Sequence, residues 1–200
     1  MRYLTVFVTL CLIGCSVSKQ VNEAKEFARC EFHIRSISQV YLAGEKIDGI
    51  KSVNDLGLRK ATKILTAAAT GSLPLTFNVI VASHNPNDTE AGINQLEWIL
   101  LVDQQEWLKG KLDQAVHIAP DSSAEFPVAV SVDLKQSLHG KTKEALLNLA
   151  FNLSGENQKQ SDIILKIKPY VEMAGKIIEY PGYVDIPFTA ENGKVLPKKN

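Results

Sequence analysis

A few side chains of this 200-residue sequence have the types and spacing that chemistry would need. Gly140-Lys141-Thr142 follows a strand-like stretch and precedes a helix-like one, as a phosphate-binding loop would. That loop also needs a glycine five residues before its Gly-Lys-Thr glycine, and the residue there is Lys135. We therefore interpret Thr142 as the N-cap of a helix and predict that the protein binds no cofactor.

The histidines and cysteines lack the spacing of metal ligands or of a catalytic pair. No two histidines are close in the sequence, and we predict no metal site for His33, His84, His117 and His139. Cys30 with His33 nearby could supply a nucleophile and a base. A lone cysteine in strand-like sequence is more often a small buried hydrophobic residue, and we interpret Cys30 in that way.

Asp103 and Glu106, close to Trp107, are candidates for acid–base chemistry or for sugar binding. A solvated hairpin is the commoner explanation of two such carboxylates. The sequence contains no Gly-x-Ser-x-Gly nucleophile motif. We therefore predict no catalytic residues and expect that the protein is not an enzyme.

The first fourteen residues have the pattern of a secretory signal. Arg2 is the only charge before Cys15, and the apolar run of residues 3–13 is shorter than the roughly 20 residues that span a bilayer. The run ends in Leu12-Ile13-Gly14-Cys15, which resembles the bacterial lipobox. The resemblance implies cleavage between Gly14 and Cys15 and lipidation of Cys15, which would hold the protein at a membrane through several acyl chains.

Charge and localisation follow from this terminus. The chain has 22 basic and 22 acidic side chains, and removal of residues 1–14 takes away one base and no acid. Such a near-neutral chain excludes a strongly basic nucleic-acid binder. We predict a lipoprotein of the cell envelope, on the periplasmic or the surface side, that meets the membrane through lipid. A soluble secreted protein with an ordinary cleaved signal is the alternative.

The remaining chain alternates in the manner of β-strands. We divide it into a signal peptide (1–14), a polar lipidated tether (15–30), a domain (31–190) and a flexible tail (191–200). Within the domain, about seven short strands with turn signals between them predict a mainly β fold, an antiparallel immunoglobulin- or fibronectin-like β-sandwich with one or two inserted helices.

The inserted helices and the last hairpin have local signals. Helical spacing predicts one helix, whose apolar face contains Leu58, Ala61, Leu65 and Ala68 at steps of three and four, with Ile64 beside them. Asn54 or Asp55 could cap its start, and Gly71 its end. A second helix is predicted over Thr142 to Leu153. Residues 176–180 and 183–188 are predicted to pair across the Pro181-Gly182 turn.

Between residues 73 and 134, a hydrophobic strand runs into the turn Asn85-Pro86-Asn87, and a second strand, Leu96-Glu97-Trp98-Ile99-Leu100, follows it. This order of strands and turns resembles the LEA type 2 domain, also called the water stress and hypersensitive response domain. The resemblance extends to roughly residues 32–188. It implies an immunoglobulin- or fibronectin-like sandwich, often membrane-associated and linked to desiccation or other stress, without established catalytic residues. His84 before the turn and the late helix depart from the family pattern.

Three functions are compatible with these observations. We expect a non-catalytic, lipid-anchored envelope protein of the LEA type 2 kind, acting in stress protection or as a binding or scaffold module. Its protein, glycan or lipid partner is unknown from sequence. The first alternative is an envelope-assembly or lipid-handling lipoprotein that binds an apolar ligand or a glycan. The second is a hydrolase of envelope polymers, in which Asp103 and Glu106 would have to converge in a cleft.

Overall fold

The computed structural model describes residues 19–102, 104–137, 147, 150, 151, 153, 154, 161–173, 176–191 and 194–197. Its strands are β1 (Glu31–Leu42), β2 (Glu45–Lys46), β3 (Pro74–Asn85), β4 (Ala91–Ile93), β5 (Gln95–Val102), β6 (Gln105–Leu112), β7 (Val116–Ile118), β8 (Ser122–Asp133), β9 (Ser161–Met173), β10 (Lys176–Glu179), β11 (Val184–Glu191) and β12 (Lys194–Pro197). Its helices are α1 (19–28), α2 (Leu58–Ala69) and α3 (Leu134–Ser137), and residues 147, 150, 151 and 153 are also helical. Across these ranges, no helix is long and apolar enough to span a bilayer.

Two sheets form the body of the domain. One has the strand order β2-β1-β3-β8, and the other has the order β12-β11-β9-β5-β6, with β10 also beside β9. β4 and β7 form a separate pair. Every strand pairing within the described ranges is antiparallel. The predicted fold class, a mainly β antiparallel sandwich with inserted helices, is confirmed.

The predicted alternation places the core between the sheets. Phe77 of β3 lies opposite Val130 of β8, Val79 lies opposite Val128, and all four side chains are buried. The second sheet contributes a matching apolar face, which consists of Leu96, Trp98, Leu100, Ile163, Leu165 and Ile167. Because successive side chains of a strand point to opposite faces, period-two alternation is enough to identify the buried one.

The predicted tether needs correction from residue 19 onward. Residues 19–28 form α1, and Ala24, Phe27 and Cys30 are buried. The Phe27 ring lies 5.1 Å from the Phe32 ring and 6.2 Å from the Phe126 ring, measured between centroids. The three-residue spacing of these buried positions fits a helix, but the many polar residues around them led to the prediction of a tether. Gly14, Cys15 and the rest of residues 1–18 lie outside the described residues.

Helix α2 is present, but only part of its predicted face is buried. Ile64 and Ala68 face the core, whereas Leu58 is 85% exposed and Leu65 is also exposed. On the other side, the helix forms ion pairs with a residue of β2. Buried Glu45 accepts a hydrogen bond from Lys63 Nζ at 3.0 Å, and Arg59 also reaches it.

The predicted caps of α2 are also different. The helix starts after Gly57 and ends at Thr70, whose N–H donates to the carbonyl oxygen of Thr66. Asn54 and Asp55 belong instead to a separate 3-10 turn, Val53–Asp55. Glycine at the N-cap has no side-chain acceptor, so this helix depends on its packing and ion pairs rather than on a capping side chain.

Both predictions for the C-terminal part need correction. β10 and β11 do not pair with each other: Glu179 lies opposite Tyr170 and Val184 lies opposite Ile167, so both strands pair with β9. The chain therefore continues in the same direction through Pro181-Gly182, which separates β10 from β11. The 13-residue β9 is long enough to pair with both of these strands. Within the predicted flexible tail, β12 pairs with β11.

Candidate binding groove at the edge of the sandwich

The Asn85-Pro86-Asn87 turn holds several segments of the domain together through side-chain hydrogen bonds, and we call it the clamp. Asn85 is 0% exposed, and its Nδ2 donates to the carbonyl oxygens of Thr89 at 3.0 Å, Ile118 at 3.0 Å and Ala119 at 3.2 Å. Its Oδ1 accepts hydrogen bonds from the backbone N–H and the side chain of Asn87. Because these polar atoms are used within the protein, Asn85 holds the end of β3 to the end of β7.

Asn87 extends the same clamp to α1. Its Nδ2 donates to the carbonyl oxygen of Glu26 at 3.1 Å, near the C-terminal end of the helix. Lys19, at the start of the described helix, forms an ion pair with Glu23 at 3.2 Å and lies 3.7 Å from Glu90. The turn predicted as a site therefore fixes α1 to one end of the sandwich, which we call the α1 end.

Cys30 is a buried hydrophobic residue, as we interpreted it. Its Sγ donates to the carbonyl oxygen of Glu26 at 3.4 Å. Burial raises the pKa of the Cys30 thiol to about 11, and a hydrogen bond with Ser83 acts in the opposite direction. Both the raised pKa and the burial disfavour a nucleophilic thiolate.

We expect Cys30 to react very slowly with iodoacetamide in the folded protein. With a thiol pKa of about 11 the thiolate fraction at neutral pH is about a hundredfold below that of an ordinary cysteine. The measurement is the labelling rate in a full chain that carries Cys11→Ala and Cys15→Ala. The same variant unfolded in urea is the control. Equal rates in the two states would contradict the burial of this thiol.

His33, His84 and His117, the described histidines, belong to no group of three or more possible metal ligands within the described ranges. His33 and His117 are exposed on their strands, and His139 lies outside the described residues. His84 Nδ1 lies 3.3 Å from Ser123 Oγ, and its Nε2 lies 4.0 Å from Asp121 Oδ1. A catalytic triad needs a buried carboxylate that orients the imidazole, whereas the Asp121 side chain is 96% exposed.

Two cavities meet at the edge strand β6. The first, about 410 Å³, lies on the face of the sheet that points away from the core, between Lys109, Lys111 and Tyr183. The second, about 450 Å³, lies between β6 and β8, the edge strands of the two sheets. Trp98, Glu106 and Lys109 line both cavities. We call the combined surface the β6 groove.

The floor of the β6 groove depends on a tryptophan and a glycine. Trp98 is only 4% exposed and lies opposite Gly110 on the neighbouring strand. A Cβ atom at position 110 would stand 2.4 Å from Cζ2 of Trp98, so only glycine fits beneath the ring. Both tryptophans of the chain, Trp98 and Trp107, line the second cavity. Trp98 is not predictable from sequence as a site residue, because its contact with Gly110 comes only from strand pairing.

Gly110→Ala is expected to displace the Trp98 ring and to lower the free energy of unfolding by about 2 kcal/mol through overpacking. Urea denaturation and the wavelength of tryptophan emission measure the two effects. Gly182→Ala is the matched control, because a Cβ atom there meets nothing within 4 Å. Equal stability of the two variants would contradict the Trp98–Gly110 contact.

The carboxylate of Asp133, which lines the groove, accepts hydrogen bonds from within the protein. It accepts hydrogen bonds from Leu73 N at 3.1 Å and Lys135 N at 3.0 Å, and from Ser72 Oγ and Gln136 N. Burial alone would raise the pKa of this carboxyl, but the hydrogen bonds outweigh it and hold the pKa below its ordinary value. A general acid needs the opposite shift.

The two predicted carboxylates can be placed only in part. Glu106 is exposed and lines both cavities of the β6 groove, while Asp103 lies outside the described residues. Glu97, another carboxylate of the groove, forms an ion pair with Lys111 at 3.3 Å. The groove thus combines aromatic rings with carboxylates, amines and backbone edges. These groups can make apolar contacts and hydrogen bonds.

Comparisons with known proteins give distant likenesses. No family model matches the chain, and no curated protein matches it. Among solved structures, a protein from Archaeoglobus fulgidus is 13% identical with a TM-score of 0.35, over 61% of this chain and 89% of that one. The solution structure of a candidate late embryogenesis abundant protein is 15% identical with a TM-score of 0.35, over 92% and 85% of the two chains. A candidate β-galactosidase from Bacteroides fragilis is 13% identical with a TM-score of 0.26, over 62% and 17%.

Proposed function

We propose that this chain is a lipid-anchored, non-catalytic binding protein of the cell envelope, of the LEA type 2 kind, which offers the β6 groove to a partner. The observation that carries the proposal is the β6 groove itself, where the edge strands of both sheets and both tryptophans of the chain line one surface. The likeness of residues 73–134 to the LEA type 2 pattern adds the expectation that this binding serves stress or desiccation protection.

The proposed anchor and the groove lie at different ends of the molecule. Helix α1 is described from residue 19, and the three residues between it and Cys15 allow at most about 14 Å between Cys15 and residue 19. A lipidated Cys15 would therefore hold the α1 end close to the bilayer. Asp133 in the groove lies opposite Pro74, at the first residue of β3, whereas the α1 end lies at the last residue, Asn85. The 12-residue strand separates these two ends by roughly 35 to 40 Å. In this arrangement the groove points away from the membrane.

The groove favours binding over catalysis. Its carboxylate Asp133 is held in the ionised form by four hydrogen bonds, and Glu97 is paired with Lys111. A polar partner also suits it better than an acyl chain, because the charged side chains of Glu106 and Lys109 line both cavities. A lipid carrier would instead need an apolar pocket between the sheets.

Metabolic labelling with radioactive palmitate tests the anchor. We expect the wild-type full chain to be labelled and the Cys15→Ala variant to carry no label, because Cys15 is the proposed lipidation site. Cys30→Ala is the matched control and should remain labelled, since Cys30 is buried in the core. An unlabelled wild type, or a labelled Cys15→Ala variant, would overturn the lipid anchor.

A further inference from the structure

We propose that the β6 groove binds an extended polypeptide segment, which adds as a strand to the open edge of β6. This inference rests on the proposed function as a binding protein. β6 ends its sheet, and within the described ranges no strand pairs with its outer edge. An open edge presents backbone N–H and C=O groups that can form a new row of hydrogen bonds with an extended chain.

The two cavities lie where the side chains of an added strand would go. Alternate side chains of a strand point to opposite faces of its sheet. One set would enter the cavity between β6 and β8, beside Trp98, Trp107 and Val132. The other set would enter the cavity on the outer face, beside Lys109 and Lys111. A single extended chain can fill both cavities because both are built around the same strand.

Gly110 in the middle of β6 has no side chain on the face that Trp98 covers, so the Trp98 ring lies close to the β6 backbone. The edge of the other sheet, β8, is different because it contains Pro127, a residue that protects strand edges from pairing. Lys111, beside Gly110, lies over the sheet with its ammonium group on Glu97.

The same surface suits a peptide better than a sugar. Sugar rings bind by stacking on exposed aromatic faces. Trp98 is only 4% exposed, and the exposed ring of Tyr183 in the outer cavity already has Lys166 and Lys168 over it. The inner cavity lies between residues of two edge strands, β6 and β8, and the edge of a sheet offers backbone hydrogen-bonding groups that match those of an extended peptide. The expected segment alternates apolar residues, which face Trp98 and Trp107, with polar residues, which face Lys109.

Tryptophan fluorescence provides a direct test, because both tryptophans of the chain line the groove. The probes are capped hexapeptides in which threonine alternates with valine or with phenylalanine. We expect at least one of them to change the tryptophan emission saturably in the full-length protein. The same peptide should also slow amide hydrogen exchange in β6 but not in β12, the edge strand on the other side of the sheet. No binding by either peptide would overturn the proposal.

N-methylation separates strand addition from other binding. Only every second amide of an added strand faces β6, and the apolar residues fix which face of the peptide enters the inner cavity. Methylation of one alternate set of peptide amides should therefore weaken binding about tenfold or more, while methylation of the other set should change it little. Equal effects of the two sets would overturn strand addition.

A sugar probe separates this inference from the proposed function. If chitotetraose changed the tryptophan emission and the peptides did not, strand addition would be wrong and the groove would still be a binding site. The lipid anchor is tested independently by the palmitate label. Thr62→Val, at an exposed site of α2 away from the groove, is the control and should leave peptide binding unchanged. A loss of binding in that variant would show that the peptides do not act at the groove.

Discussion

Asn85→Ala is expected to lower the free energy of unfolding by about 4 kcal/mol, the largest effect of any single polar substitution that we predict. The variant leaves the carbonyl oxygens of Thr89, Ile118 and Ala119 without their shared donor inside the protein. Each buried polar group that loses its partner costs about 1 to 3 kcal/mol. Urea denaturation of wild type and variant measures the difference.

Other asparagines provide graded controls. Asn78 lies on the same strand as Asn85, but its side chain donates to Gln39 at an exposed position. Asn78→Ala should therefore cost less than about 1 kcal/mol. Asn87→Ala removes the bond to Glu26 and should have an intermediate effect. If Asn85→Ala cost no more than Asn78→Ala, the clamp would not be a major source of stability.

Asn85→Asp tests the direction of the hydrogen bonds. An ionised carboxylate would face carbonyl oxygens where the amide now donates, so burial and repulsion would raise the pKa of the new carboxyl above its unfolded value. The neutral form is then the one that the fold accepts. The variant should be least stable at neutral pH and should regain stability as the pH falls, opposite to the usual behaviour of a paired aspartate.

Asp133→Ala is expected to lower the free energy of unfolding by about 3 kcal/mol. The carboxylate caps α3 through Lys135 N and Gln136 N, and loss of such a cap costs about 1 kcal/mol. The substitution also removes the acceptor of Leu73 N, whose residue is buried at the start of β3. Urea denaturation at neutral pH measures the loss. Asp113→Ala, at an exposed position, is the control and should change the stability by less than about 0.5 kcal/mol.

The contribution of Asp133 should depend on pH in a defined direction. Its folded-state pKa is lowered, so the stability that the ionised group provides is fully present above the ordinary pKa of an aspartate. It is lost as the pH falls through the lowered pKa of the folded protein. The stability gap between wild type and Asp133→Asn should therefore narrow in acid. A gap that is constant at all pH values would contradict a role for the charge.

The buried faces of the strands were predictable because they are encoded locally. The period-two placement of Phe77 and Val79 identifies the core face of β3 without any knowledge of its partner, and the same holds for Phe126 and Val128 of β8. The placement of Cys30 in the core follows from its residue type in the same way. These local patterns were sufficient to predict an antiparallel sandwich.

The helices and the last strands were less predictable. Only part of the predicted face of α2 is buried, and the ion pairs of the helix join Glu45 to Arg59 and Lys63, which lie 14 and 18 residues away. A purely local pattern also favoured the exposed Leu58. In the same way, Pro181-Gly182 is compatible with a turn that reverses the chain. The chain is not reversed there, because β10 and β11 both pair with the long strand β9.

The amino-acid pattern alone decided which end of this chain resembles a lipoprotein signal, which strand faces are buried and which class of fold results, because each of these depends on residues close in sequence. Only the tertiary structure decided what the site residues do. Asn85 became a buried clamp through carbonyl groups 33 and 34 residues away. The β6 groove arose where Trp98 meets Gly110 and where two strand edges, β6 and β8, come together. Such contacts join segments far apart in the chain, and no local periodicity records them.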